Sequence, residues 1–269
     1  MRKNIFKHEF KMHFRSVINW SLAAATVVLV YFSFYPAFSK DAEVLNRTME
    51  SFPPEFRAAF GMLNVDLSSV LGFFGFVYLF LQILLAIQAA GYGIGLVSIE
   101  EREWTADFLL AKPVARWRIL TSKLLAVLAC LAITQGVVWA SAFGFVNAFK
   151  GEKSYDPDLM ARMLLGLIAF QLFFLMVGLL VSLIAKRVRN VTPYAMALGF
   201  GMYLLGAFSD MLGESKLELI TPFKHFDPNY IVQHGAYDLP LVLVSVSVIV
   251  ISLVGSYVLY ARRDIPAVV

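Results

Sequence analysis

Charged residues are scarce in this sequence of 269 residues: they make up 16% of the chain, whereas hydrophobic residues make up 59%. Soluble domains are roughly 25% charged and 45–50% apolar, so the composition excludes an ordinary soluble domain. The mean hydropathy of +0.71 points the same way. The chain has a single cysteine, Cys130, which excludes a disulfide framework within the chain. The composition therefore predicts a membrane protein.

Nucleotide-binding motifs are also missing. No stretch matches the G-x-x-x-x-G-K-[ST] loop that cradles phosphates, and the strings GYGIGL from Gly91 and GFGMYL from Gly199 lack the final glycine of a dinucleotide fingerprint. Both strings fall in apolar runs, so we interpret them as packing glycines, with Gly91 and Gly95 in a G-x-x-x-G spacing. We expect no catalytic residue and no cofactor site in this chain.

Metal ligands are few, because the chain has only four histidines. His225 and His234, with Asp227 between them, could bind a metal ion. The run Asp227-Pro228-Asn229 is also a turn signal, and this is the interpretation that we favour. We therefore expect no metal site.

The sequence contains several long apolar runs. Each is about 20 residues or more, enough for a helix to cross a hydrocarbon core of about 30 Å. Helices are expected because a lipid-facing segment must satisfy its backbone hydrogen bonds internally. The sequence predicts an all-α polytopic membrane protein, a single transmembrane domain over 1–269, with six transmembrane helices near 17–37, 70–97, 119–149, 163–185, 191–211 and 239–260.

The basic residues divide unevenly between the two sides that six spans define. One side holds fifteen of the 23 lysines and arginines and six of the 19 acids. Lysine and arginine accumulate in short cytoplasmic segments, so this side, with both termini, is predicted to be cytoplasmic. The sequence pI near 9.1 then reflects orientation in a membrane and does not indicate nucleic-acid binding.

The first sixteen residues form a leader with two stripes at helical spacing. We predict an interfacial amphipathic helix over 1–16 that lies among the lipid headgroups; the alternative is a solvated basic leader that only sets orientation. The basic and aromatic residues of these stripes are Lys3, Phe6, Lys7, Phe10, Lys11, Phe14 and Arg15.

An unusual polar segment, the elbow (98–118), interrupts the apolar sequence between the second and third spans. A 28-residue second span would measure about 42 Å, more than the core needs, so we expect it to protrude inward into the elbow. Glu100, Glu103 and Asp107 share one helical stripe, and Trp104 and Phe108 lie on the next. Pro113 ends that helix. The pattern predicts a cytoplasmic docking element, and the alternative is a helix anchored at the membrane surface.

The elbow resembles that of the type-2 permeases of ATP-binding cassette (ABC) transporters, whose pattern there is two acids, Gly-Thr, a leucine pair, proline, arginine and lysine. Trp104 stands where that pattern usually has glycine. The layout of leader, six spans and outer segment ITPFKHFDP (220–228) is also similar. The matching residues are Glu100, Glu101, Thr105, Leu109, Leu110, Pro113, Arg116 and Lys123.

The resemblance implies the transmembrane subunit of an ABC exporter. Such a subunit pairs with a second permease, as a homodimer or heterodimer, and with a separate ATP-binding cassette ATPase that binds ATP and Mg. The elbow would be the coupling helix that enters a cleft of the ATPase, with the leader as a second contact, and the expected membrane is the bacterial plasma membrane. The residues so implicated in coupling are Glu100, Glu101, Glu103, Trp104, Thr105, Phe108, Leu109, Pro113 and Arg116.

Polar residues inside the predicted spans are few and uncharged, apart from Asp210 near an outer end and Lys123 near an inner end, which is counted with the cytoplasmic bases. Ion-driven transporters usually place ionisable groups at mid-membrane, so their scarcity argues against a secondary antiporter. The glutamines either line a route or bond neighbouring helices, and we favour helix bonding. A different class stays open: a non-transporting anchor or scaffold that docks a cytoplasmic partner by the same elbow. The uncharged polar residues are Gln82, Gln88, Thr134, Gln135 and Gln171.

Overall fold

The computed structural model describes residues 2–40, 48, 51–53, 56–57, 66–102, 115–185, 188–212 and 215–262. Within these residues all regular structure is helical. Six helices are long and apolar enough to span a membrane, which confirms the all-α polytopic prediction. They are α1 (Arg2–Lys40), α2 (Val70–Arg102), α3 (Arg116–Phe149), α4 (Pro157–Ile184), α5 (Val191–Leu212) and α9 (Leu239–Arg262); three short helices are α6 (Ser215–Glu218), α7 (Pro222–His225) and α8 (Pro228–His234).

The leader and the first span form one helix, contrary to the boundary expected near residue 17. Helix α1 runs for 39 residues from Arg2 to Lys40 and carries Pro36 in its last turns. No glycine or proline lies between Arg2 and Tyr35, so nothing in the sequence stops the helix where the basic stripe ends. The leader predicted over 1–16 is thus the first part of this one helix, and its position among the lipid headgroups stays a prediction.

Two other helix ends differ from the sequence expectation in ways that local chemistry explains. Helix α4 begins at Pro157, six residues before the predicted start. The carboxylate of Asp156 accepts hydrogen bonds from the amides of Asp158 and Leu159, and Pro157 fits the first turn. Helix α2 continues to Arg102, past the predicted end near 97 and into the elbow, and residues 96–102 contain no glycine or proline that would stop it.

The two ends of the bundle are distinguished by charge, and we call the end that holds the N-terminus the basic end. The start of α1 meets the end of α2 and the start of α3 there, and the start of α3 also meets the end of α9. At the opposite end, Lys153 donates hydrogen bonds to the carbonyls of Ser39 and Ser68. The helices thus run alternately up and down, as six spans require.

Glycines set the closest helix contacts. A Cβ atom built on Gly93 would lie 2.2 Å from the carbonyl oxygen of Leu175, and one on Gly178 would lie 2.7 Å from that of Ala90. Helices α2 and α4 therefore touch through their backbones. Gly93 belongs to the string from Gly91, and Gly199 of α5, which packs against Ile87, begins the other string. These contacts confirm that the two strings hold packing glycines. The G-x-x-x-G pair contributes less: a Cβ atom built on Gly91 would lie 3.7 Å from the Cβ of Ala195, and one built on Gly95 would have no described atom of another helix within 4 Å.

The segment between α5 and α9 enters the bundle. Phe223 of α7 is buried and packs edge-to-face on Phe170 of α4, with ring centroids 5.0 Å apart. Phe226 is buried beside it, and its carbonyl accepts a hydrogen bond from Gln82 of α2. The segment thus closes the opposite end of the bundle.

Candidate functional site: the basic end of the bundle

A buried ion pair lies at the basic end. The ammonium nitrogen of Lys123 on α3 is 3.1 Å from Oε1 of Glu9 on α1, and both residues are almost fully buried, at 1% and 5% exposure. Lys123 also donates a hydrogen bond of 2.7 Å to the carbonyl oxygen of Leu96 on α2. One ammonium group therefore joins three helices beside the two ends of the elbow.

This pair corrects the view that the chain holds no buried charge. Lys123 was expected among the cytoplasmic bases, and Glu9 lies within the basic leader, so neither looked buried from sequence alone. A signal was present, since Glu9 is the only acid among the first forty residues. An acid within a basic stripe is more stable facing a cation than facing the headgroups.

Three polar side chains extend the contact between α1 and α2. The imidazole of His13 packs on the ring of Tyr92, with centroids 5.1 Å apart, and its Nε2 lies 3.9 Å from Oε2 of Glu9. The hydroxyl of Tyr92 donates a hydrogen bond of 3.2 Å to Ser16 Oγ. The first four turns of α1 are thereby fixed against the end of α2.

The leader presents its predicted basic stripe outward. Lys7, Lys11, Phe14 and Arg15 are exposed. Phe6 and Phe10 are half-buried, with ring centroids 6.1 Å apart, and Phe10 lies 6.0 Å from Phe14. The side chain of Lys3 lies outside the described residues. The two-stripe pattern is present, on a helix that continues into the span.

The structure describes only the two ends of the elbow, residues 98–102 and 115–118. Glu100 and Glu101 belong to the last turn of α2, although their side chains are not among those described. Arg116 begins α3 and donates a hydrogen bond of 3.3 Å to the carbonyl oxygen of Ala261 on α9. The predicted residues Glu103, Trp104, Thr105, Phe108, Leu109, Leu110 and Pro113 lie outside the described residues.

A chain of neutral hydrogen bonds crosses the middle of the bundle. Gln135 of α3 donates to Gln171 of α4 at 2.9 Å, Gln171 to Gln88 of α2 at 3.2 Å, and Gln88 to Thr134 of α3 at 2.9 Å. All four side chains are buried. Ser21 of α1 approaches Thr134 at 3.4 Å. The glutamines thus bond neighbouring helices, as favoured from the sequence.

The opposite end has its own charged cluster. Lys224 pairs with Asp210 and lies 3.6 Å from Asp227. Burial alone would lower the pKa of Lys224, but Asp227, Asp210 and Glu218 together outweigh it and raise the pKa above its ordinary value. The lysine therefore stays charged and holds α5 to the segment before α8.

The two outer histidines have separate structural contacts. His225 is buried, with Nδ1 2.6 Å from Ser245 Oγ and Nε2 2.9 Å from the carbonyl oxygen of Glu218. Burial lowers the pKa of His225. His234 is exposed and stacks on Tyr230, and Asp227 caps α8 as the turn signal predicted. Among the described residues no three histidine, cysteine or acidic side chains cluster as a metal site would require.

Comparison with protein families now identifies the class of the molecule. The family model described as ABC-2 family transporter protein matches residues 3–265, nearly the whole chain. The chain belongs to this family and is a multi-pass membrane permease of the ABC transporter type. Permeases of this family are transmembrane components and generally not catalytic themselves. A search of curated proteins finds no match.

Proposed function

We propose that this chain is the membrane-spanning subunit of an ATP-driven exporter, which moves its substrate outward with energy from a separate ATP-binding subunit. That subunit binds the ATP and Mg, and two permease chains, identical or different, complete the transporter. Family membership supports the transport role. The fifteen bases that the sequence assigns to the side of the N-terminus favour a cytoplasmic location for the basic end, and the membrane we propose is a bacterial plasma membrane.

The observation that carries the coupling role is the position of the Glu9–Lys123 pair. Helix α2 leaves the bundle at Arg102 and α3 returns at Arg116. Lys123 lies two turns inside α3 and is held by both α1 and α2. A force applied to the elbow therefore reaches a buried junction of three helices, and the same junction positions the leader as a second contact for the ATPase.

The test is purification of the complex. The chain is tagged at its C-terminus, extracted from native membranes in mild detergent, and its partners are identified by mass spectrometry while ATP hydrolysis is assayed. The proposal expects an ATP-binding subunit near one-to-one, which is lost when residues 100–111 are scrambled. Scrambling an equal number of residues at 41–52, on the opposite side, is the matched control and should keep the partner.

Two point variants sharpen the result. Glu101→Lys and Trp104→Ala should weaken co-purification or reduce ATP turnover, whereas Lys216→Ala at the opposite end should change neither. A partner that does not hydrolyse ATP would favour the scaffold class. Retention of full ATP turnover by both elbow variants would contradict the coupling role of the elbow.

A further inference from the structure

The six spanning helices pack as two bodies. Helix α1 packs along α3, and we call these two the α1/α3 pair. Helix α2 packs closely on α4 and α5, and α4 packs on α9; we call these four the α2 body. Helix α2 touches α4 through Gly93 and Gly178, and α5 through Gly199, near or at backbone contact. The α2 body is therefore internally rigid, because helices this close have no room to slide.

Polar side chains join the two bodies between the middle of the bundle and the basic end. At mid-bundle, Gln88 meets Thr134 and Gln135 meets Gln171. Nearer the basic end, Tyr92 meets Ser16, Thr121 of α3 meets Tyr257 of α9 at 2.8 Å between hydroxyl oxygens, and Lys123 donates to the Leu96 carbonyl. We call these five contacts the polar seam. Buried apolar side chains of α3 pack on the α2 body between them, and Lys123 keeps Glu9 as its partner within the α1/α3 pair.

The polar seam is less costly to open than the packing inside either body. Hydrogen bonds between membrane helices average about 0.6 kcal/mol, and amides can exchange one partner for another. The seam is also incomplete, since the buried Oε1 of Gln135 accepts no hydrogen bond from any residue that the structure describes. Gln135 therefore has a free acceptor with which it can re-pair when the helices shift.

At the opposite end the two bodies meet through aromatic rings. Phe32 of α1 packs edge-to-face on Phe73 of α2, with centroids 5.3 Å apart, and Tyr35 lies 5.1 Å from the same ring. The hydroxyl of Tyr35 donates a hydrogen bond of 2.9 Å to the carbonyl oxygen of Ser68. Phe32 and Tyr35 are fully buried. This aromatic cluster is a tight, apolar contact in contrast to the polar seam.

The elbow joins the two bodies. Its first end, at Arg102, continues α2 and so belongs to the α2 body, and its second end, at Arg116, begins α3 and so belongs to the α1/α3 pair. A partner that moves the elbow therefore acts on the boundary between the bodies, at the end where that boundary is polar.

We propose that the α1/α3 pair and the α2 body move against each other during the transport cycle, parting at the polar seam and pivoting at the aromatic cluster. The inference rests on the proposed function, because closure of the ATP-binding subunit drives the motion. The hydrogen bonds of the seam exchange partners as it opens, while the glycine contacts within the α2 body stay fixed.

Spin-label distances test this motion. In a Cys130→Ala background, labelled cysteines replace pairs of exposed residues near the basic end, diluted with unlabelled protein. Two pairs lie within a body: Ile18 with Leu125, and Ile184 with Val258. Two pairs cross the boundary: Ile18 with Ile184, and Leu125 with Val258. Distances are measured in the complex that hydrolyses ATP, without nucleotide and with ATP plus vanadate.

The expected result is a shift of both crossing distances on trapping, with both distances within a body unchanged. The inference is overturned if all four distances stay the same, or if those within a body change as much as those across it. An ATP-hydrolysing complex with that outcome would leave the proposed function intact, so the two failures are distinguishable.

Cross-linking gives a second readout in the same background. A short bifunctional thiol reagent joins Gln135→Cys to Gln171→Cys across the seam. The matched control joins Gly91→Cys to Ala195→Cys within the α2 body, where the Cβ separation of 3.7 Å suits a direct disulfide. The seam link should lower ATP turnover by about 10-fold and the control by less than about two-fold.

Reductant should restore ATP turnover after the seam is cross-linked. The ATP turnover of the same double variant without the reagent shows the effect of losing the hydrogen bond between Gln135 and Gln171. Full turnover with the seam cross-linked, or equal inhibition by the two links, would contradict the proposed motion.

Discussion

The ammonium nitrogen of Lys123 lies 3.1 Å from Oε1 of Glu9 across the interface of α3 and α1, with almost no exposure of either side chain. The same nitrogen bonds the Leu96 carbonyl of α2. Lys123, the lysine that the family pattern places after the elbow, is thus the residue that holds the leader against the bundle. Its one buried charge contacts three helices at the basic end.

The first prediction concerns this pair. Lys123→Met should destabilise the permease by about 3–5 kcal/mol, because it leaves the Glu9 carboxylate buried without its cation. Adding Glu9→Gln should recover most of the loss, since no uncompensated charge remains. Thermal unfolding in detergent, followed by tryptophan fluorescence, measures both. A double variant as unstable as the single one would show that the pair is not coupled.

The second prediction concerns the contact of α2 with α4. Gly93→Ala should destabilise the protein by about 1–3 kcal/mol, because the new methyl group would collide with the Leu175 backbone. Gly136→Ala is the matched control. Gly136 lies in a spanning helix and is exposed, and a Cβ atom built on it would have no described atom of another helix within 4 Å. The control should keep or slightly raise the unfolding temperature. Equal losses for the two variants would refute the close contact.

The third prediction concerns pH. Burial lowers the pKa of His225 in the fold below 6.5, the value of an ordinary histidine. The unfolded chain therefore binds the proton first, and stability falls as the pH drops below about 6.5, by at most about 1.4 kcal/mol per pH unit, until the folded imidazole also titrates. Melting temperatures between pH 7.5 and pH 5 should show this decline.

The variant His225→Gln should flatten that pH dependence even if its stability at pH 7.5 is lower. His234→Gln, at an exposed ring, should keep the wild-type slope. An unchanged slope in His225→Gln would assign the decline to another group.

The fourth prediction concerns orientation. In a Cys130→Ala background, a membrane-impermeant thiol reagent added outside intact cells should label Glu152→Cys, which follows α3 at the opposite end. It should not label Arg118→Cys at the basic end until the membrane is permeabilised. The reverse pattern would place the elbow outside the cell, where no cytoplasmic ATPase could reach it.

Helix number and type could be predicted from the sequence because long apolar runs leave a membrane chain few alternatives. The continuity of the leader with the first span could not be predicted, because a basic interfacial helix and the start of a longer helix have the same composition. The burial of Lys123 was hidden for a related reason: lysine near a span end usually reaches the headgroups. Its pairing with Glu9, more than a hundred residues away, and its bond to the Leu96 carbonyl keep it inside.

The outer segment shows the same limit. Phe223 and Phe226 belong to the outer segment ITPFKHFDP, yet they pack on Phe170 in the bundle. Phe223 also lies against Gly206 of α5. These contacts join residues far apart in the chain, so no local periodicity of the sequence predicts them.

Photocross-linking from the elbow tests the central claim most directly. A p-benzoylphenylalanine at Trp104 is irradiated in native membranes, and the captured protein is identified by mass spectrometry, with Phe56 at the opposite end as the control position. The account predicts that Trp104, and not Phe56, captures a subunit that carries a phosphate-binding loop and hydrolyses ATP. Capture of a protein without ATPase activity, or equal capture from both positions, would contradict it.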